Sequence, residues 1–125
     1  MDDRQRKQTG DAAETAALGY LLTQGLKLVV RNYQCKLGEI DLVMLDRGTL
    51  ALIEVRYRTS RAFGGAAASV TPHKQRRITQ AARHLLTTQA ALRRYPARFD
   101  VVAVTPGLPT SQVEWIQAAF SIEHR

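Results

Sequence analysis

A chain of 125 residues, 45% hydrophobic and 23% charged, is long enough for one folded domain with a real core and too balanced for global disorder. Its 18 lysines and arginines against 11 acids give a net charge of +7, and the single cysteine, Cys35, excludes an internal disulfide and a cysteine-rich zinc site. No apolar run approaches the ~20 residues that cross a bilayer, and the N-terminal "MDDRQRKQTG" lacks the apolar stretch of a secretion signal. The expectation is a reduced, cytoplasmic protein with no membrane partner.

In chain order, residues 1–10 read as a disordered tail, with a single domain over 11–125. "DAAETAALGYLLTQG" reads as a helix: Asp11 and Glu14 fit a capping box, Ala13, Ala17, Tyr20 and Leu21 recur at helical spacing, and Gly25 suits the residue after the helix. "LKLVVRNY" is a strand. "GEIDLVMLD", "RG" and "TLALIEVRYR" form a hairpin. "TSRAFGGAAASV" is a small-residue loop. Thr71 and Pro72 then open a second helix through "HKQRRITQAARHLLTTQAAL", with Ile78, Ala82, Leu85 and Leu86 as its apolar stripe. "RFDVVAVT" and "QVEWIQAAF" are closing strands, Trp115 belonging to the core. The order αβββαββ predicts an α/β fold, a mixed sheet flanked by helices, in which the second helix makes the crossover of a parallel strand pair.

The charges are unevenly placed. From Val55 to Phe99 there is no acid, while ten basic residues occur there. Such a block favours a polyanionic partner, because each neutralised phosphate releases counterions; general solubility or an arginine-rich genome gives the same composition. If Arg47 and Gly48 make a two-residue turn, Asp41 stands opposite Glu54 and Glu39 opposite Arg56, with directly opposed Cβ atoms ~4.5–5.5 Å apart. Two carboxylates so placed repel, and a hard divalent cation removes the objection. Alternation puts Glu39, Asp41, Glu54, Arg56 and Arg58 on one face together with Leu50 and Leu52, and Ile40, Leu42, Met44, Ile53 and Val55 on the other, expected to be core. An ordinary charged hairpin with a Glu39–Arg56 surface pair fits the same spacing.

"GEIDLV" followed by "ALIEVRYR" is similar to the D…(D/E)xK signature of restriction-endonuclease-like nucleases. With "RNYQCKLGEIDLV", "FGGAAASVTPHKQRRI", "RFDVV" and "WIQAAF", the chain resembles, over nearly all of residues 10–120, the YraN family of small bacterial proteins, itself similar to archaeal Holliday junction resolvases. The resemblance implies a restriction-endonuclease-like fold. It also implies a Mg²⁺ or Mn²⁺ site on Asp41 and Glu54, completed by the Val55 backbone carbonyl and by Glu14, whose other reading is the capping box.

Arg56 stands where the superfamily usually has lysine. It cannot act as a base, yet it can offset charge in a phosphoryl transition state. Lys74, by the same resemblance, reaches the scissile phosphate or the acids; its other reading is a solvated basic face shared with Arg76, Arg77 and Arg83. Arg58 and Arg61 are expected to grip the DNA backbone, and Thr71 with the free N–H groups of its helix to meet a phosphate. His73 and His84 have no ligand partners, and Asp100 is expected to be structural. The expected function is a metal-dependent endonuclease-like protein acting on DNA, branched or damaged DNA included, with a homodimer needed if it cuts two strands symmetrically. The alternative is a catalytically inactive module that binds DNA or RNA.

Overall fold

The computed structural model describes residues 2–59, 65–107 and 111–121. Helix α1 spans Asp3–Thr23, beginning well before Asp11. Asp2 caps it: its carboxylate accepts the Gln5 N–H at 2.8 Å, and the Gln5 amide oxygen accepts the Asp2 N–H at 3.0 Å. Asp2/Gln5 and Asp11/Glu14 have the same capping spacing, and no proline lies between them to stop a helix that starts at the first. Residues 3–10, expected as a tail, are therefore helical. Glu14 lies inside the helix, where α1 buries Ala13, Glu14, Ala17 and Leu21 as one stripe.

Strands β1 (Lys27–Cys35), β2 (Gly38–Asp46) and β3 (Thr49–Tyr57) follow. Arg47 (φ 51°) and Gly48 (φ 88°) are both left-handed, the conformation a two-residue hairpin turn requires. This fixes the expected register, from Asp46 opposite Thr49 to Leu42 opposite Ile53. The loop expected over 59–70 contains a short helix, α2 (Gly65–Ala68). Helix α3 (Pro72–Thr88) is capped as expected, the Thr71 hydroxyl accepting the Lys74 N–H at 3.2 Å. It ends before Leu92 because Gln89 leaves helical geometry, and a 3₁₀ turn covers Ala90–Arg94. Strands β4 (Ala97–Thr105) and β5 (Gln112–Phe120) complete the chain.

Among the described residues, five strands lie in the order β1-β2-β3-β4-β5. Every neighbouring pair is antiparallel except β3–β4, which is parallel, with α3 as its crossover. The result is a mixed α/β sandwich with α1 on one face and α3 on the other. Ile78 and Leu85 of α3 cluster with Ile40, Val43, Leu50 and Leu52 of the sheet. Ala17 and Leu21 of α1 cluster with Leu42, Met44, Ala51, Ile53 and Val102 of the sheet. Both faces of β3 are thus core, and the face that carries Glu54 is not a wet one.

Ile40 departs from the expected alternation, packing toward α3 while Leu42 and Met44 pack toward α1. The break sits at Asp41. On β1, Asn32 adopts φ 59°, a conformation asparagine tolerates. The β1–β2 ladder passes from Arg31–Leu42 to Tyr33–Ile40 without pairing Asn32 to Asp41.

Candidate functional site

The site forms where β2 and β3 part. Even-numbered residues of β3 bond to β4: the Leu50 N–H donates to the Pro96 carbonyl at 2.8 Å and the Arg58 N–H to the Val104 carbonyl at 2.9 Å. The odd-numbered residues therefore turn their backbone groups toward β2. The β2 ladder ends at Leu42–Ile53, so Val55 has no strand partner there. Asp41 takes that place: its Oδ2 accepts the Val55 N–H at 2.8 Å. Within one extended residue N–H and C=O point to the same side, so the Val55 carbonyl faces the same gap. Asp41 and Glu54 meet through this opening and not as the directly opposed ladder pair that the hairpin register predicts.

The electrostatics are strained. Burial, then the hydrogen bond and charge of Glu54, push the Asp41 carboxyl from 3.8 up to about 8, against the pull of the Val55 N–H and Lys74. Glu54 is 4% exposed. The Lys74 Nζ stands 3.1 Å from its Oε2, yet that buried oxygen has no aligned hydrogen-bond donor among the described residues. Glu14, 7% exposed, is raised by burial, an effect opposed by its hydrogen bond to Arg31 and reinforced by the charge of Asp41.

Sequence reasoning missed Arg31, and with it the cleft residues Lys7, Asn32 and Tyr57. From β1 the Arg31 Nε donates to Glu14 Oε1 at 2.8 Å and its Nη2 to the Thr15 hydroxyl at 2.8 Å. Its signal is an arginine in mid-strand, directly after the apolar run Leu28–Val30. Asp41, Glu54, Val55, Glu14 and Lys74 line one cleft of ≈ 260 Å³, joined by Lys7, Asn32 and Tyr57. Among the described residues, no three His, Cys, Asp or Glu side chains gather closely enough to hold a metal ion between them. Glu14 thus lines the cleft without completing a three-carboxylate set.

The other expected site residues are more dispersed. Arg56 does not pair with Glu39; its Nε donates to the Ser69 hydroxyl at 3.1 Å. Glu39 instead binds Arg77 at 2.7 Å, because α3 crosses the start of β2: a Cβ on Gly38 would stand 1.9 Å from the Arg77 carbonyl oxygen. That hydrogen bond and the charge of Glu39 raise the Arg77 guanidinium further. Arg58 donates Nη1 to the Gly65 carbonyl at 2.8 Å, and Arg76 is exposed on α3. The Thr71 hydroxyl is occupied by its cap. Arg61 lies outside the described residues.

Asp100, fully buried, is structural as expected. It accepts from Arg98 Nε at 2.9 Å, Trp115 Nε1 at 3.0 Å and the Ala118 N–H at 2.9 Å, which ties the irregular end of β5 to β4. No described helix is long and apolar enough to cross a membrane.

Residues 13–104 match the model of the uncharacterised protein family UPF0102. A UPF0102 protein of Cupriavidus taiwanensis is 56% identical over 119 residues, 94% of this chain and 86% of the relative. One of Saccharophagus degradans is 50% identical over 115 residues, covering 92% and 94%, and one of Nitrosococcus oceani is 44% identical over 123 residues, covering 98% and 99%. With that match and relatives this similar, the chain belongs to the UPF0102 family, the YraN family that its motifs resemble.

Proposed function

We propose that this protein is a metal-dependent endonuclease-like enzyme that hydrolyses DNA phosphodiester bonds, branched or damaged DNA being its substrate, on a restriction-endonuclease-like arrangement of its mixed sheet. The observation that carries the reading is the Asp41–Glu54 contact: two desolvated carboxylates with Asp41 pushed up to about 8 and a buried Glu54 oxygen that lacks an aligned donor. Such a pair fits a hard cation. Mg²⁺ is commonly held by one or two carboxylates and keeps several waters, so Asp41, Glu54 and the Val55 carbonyl suffice as protein ligands without Glu14. When bound, Mg²⁺ or Mn²⁺ supplies a more acidic water and polarises the phosphate.

The chain's own residues do the rest. Lys74 sits beside the carboxylates and offsets negative charge on a phosphate held there. Lys7, on the opposite helix, adds a second cation at the cleft. Arg31 neutralises Glu14 and so lowers the repulsion an incoming phosphate meets. Arg58, Arg76 and the basic face of α3 position the backbone without reading bases.

One observation favours a second reading, a catalytically silent nucleic-acid-binding module. Arg56 is turned to Ser69 and Lys74 already sits on Glu54, so the site is partly neutralised without a metal. A cleavage assay on linear, nicked and four-way-junction DNA with Mg²⁺ or Mn²⁺ separates the two. An enzyme loses activity with EDTA, with Asp41→Ala and with Glu54→Ala, and gains with Arg56→Lys. Activity that survives both alanine substitutions overturns the site. Inactivity on every substrate, with binding retained, leaves the module.

A further inference from the structure

The cleft has one feature that phosphodiester chemistry does not use. Tyr57, the last residue of β3, is 41% exposed and lines the cleft beside Glu54 and Val55. A large aromatic side chain left open at a site lined with charges is not there for the core. It shares the α1 face of the sheet with Val55, two residues further along the strand, ~6.6 Å from it. On the α1 side of the cleft stands Gly10, where a Cβ would meet nothing within 4 Å. At that point the α1 wall carries no side chain, and the space over Gly10 is open. Lys7 and Lys74 line the same cleft as cations, together with the acids Asp11, Glu14, Asp41 and Glu54.

We infer that Tyr57 is a stacking platform for one unpaired nucleotide base next to the phosphate held at Asp41 and Glu54, so that the site takes single-stranded DNA or the unpaired strand of a branch. The inference rests on the function proposed above and deepens it. A paired base keeps both faces in its own stack and has none to offer the ring. An unpaired base offers a face, and stacking on an aromatic with flanking cations is the usual chemistry of single-strand binding.

The test measures affinity at fixed 0.1 M salt for a labelled single-stranded 12-mer and a 12-base-pair duplex. All proteins carry Glu54→Gln, which keeps the cleft's shape and blocks cleavage. Tyr57→Ala should weaken single-strand binding about 5- to 150-fold, the range of one base stack, and leave duplex binding within about twofold. Tyr57→Phe, which keeps the ring, should retain single-strand affinity. Gly10→Leu, which favours the helix and so cannot act by unfolding it, should lower single-strand affinity by filling the space. Unchanged single-strand affinity in Tyr57→Ala or Gly10→Leu overturns the subsite and leaves the proposed function standing. Failure of the Glu54→Gln parent to bind either DNA overturns both.

Discussion

Replacing Asp41 with asparagine probes the site without DNA or metal. The substitution keeps an oxygen to accept the Val55 N–H, now bonded at 2.8 Å, and removes the charge that burial and Glu54 disfavour. An unfolded chain titrates this carboxyl near 3.8, the folded protein at about 8. Between those values the folded state holds more protons than the unfolded one. Wild-type stability therefore falls as pH rises through the window, and the loss is complete above about 8. At about 1.4 kcal/mol per unit the whole window sets a ceiling of about 5–6 kcal/mol, and movement of Lys74 and entry of water return part of it. Asp41→Asn should therefore be more stable than wild type by about 2–4 kcal/mol at pH ~9 and nearly equal to it at pH ~4. Urea unfolding in EDTA, followed by Trp115 fluorescence across this pH range, reads the difference. Mg²⁺ should then stabilise wild type more than the variant, since a ligand that binds only the folded state adds RT ln(1 + [L]/Kd). Parallel stability–pH curves for the two proteins, or a variant that is weaker at high pH, would refute the account of a buried, repelled carboxylate.

Two further outcomes follow from packing. Gly38→Ala places a Cβ 1.9 Å from the Arg77 carbonyl oxygen, backbone against backbone, where neither side can yield. It should cost about 3 kcal/mol or prevent folding, and a melting temperature within about 2 °C of wild type would contradict so close an approach of β2 to α3. Asp100→Ala strips partners from Arg98, Trp115 and the Ala118 N–H. It should cost about 3–5 kcal/mol in urea unfolding while leaving Mg²⁺ affinity unchanged under folding conditions, because Asp100 is a structural acid and no ligand.

Much of the fold is written locally. Arg47-Gly48 specifies the hairpin turn and hence the register, and Thr71-Pro72 specifies the start of α3. An apolar β3 followed by a helix and a strand specifies the parallel crossover. Each signal lies within a few residues of the structure it determines. The start of α1 was less legible because two capping boxes of equal spacing compete, and a sequence window does not show which one nucleates. The contacts of Glu39 and Glu14 were not legible at all. They depend on α3 passing over Gly38 and on β1 reaching α1, which bring Arg77 and Arg31 from 38 and 17 residues away. Asp41 and Glu54 could be paired on paper, but the right pair came from the wrong geometry. The alternation of β2 breaks between Ile40 and Leu42, and the nearest sequence mark of that break is Asn32, a residue tolerant of positive φ in a strand that otherwise has none.

The distribution of partners around the cleft bears on why Asp41 is there. Glu14 has Arg31, Glu54 has Lys74 and Glu39 has Arg77, each within 3.1 Å. Asp41 has a backbone N–H and only a share of the Lys74 charge that already sits on Glu54. A buried acid opposed by a neighbouring acid lowers the stability of the fold at neutral pH, and asparagine would fill its strand-capping role without that cost. Folding therefore accounts for an oxygen at position 41 but not for its charge. A cation that binds the folded protein and bridges Asp41 to Glu54 would account for both, which is why the response of Asp41→Asn to Mg²⁺, and not its stability alone, bears most directly on the proposed function.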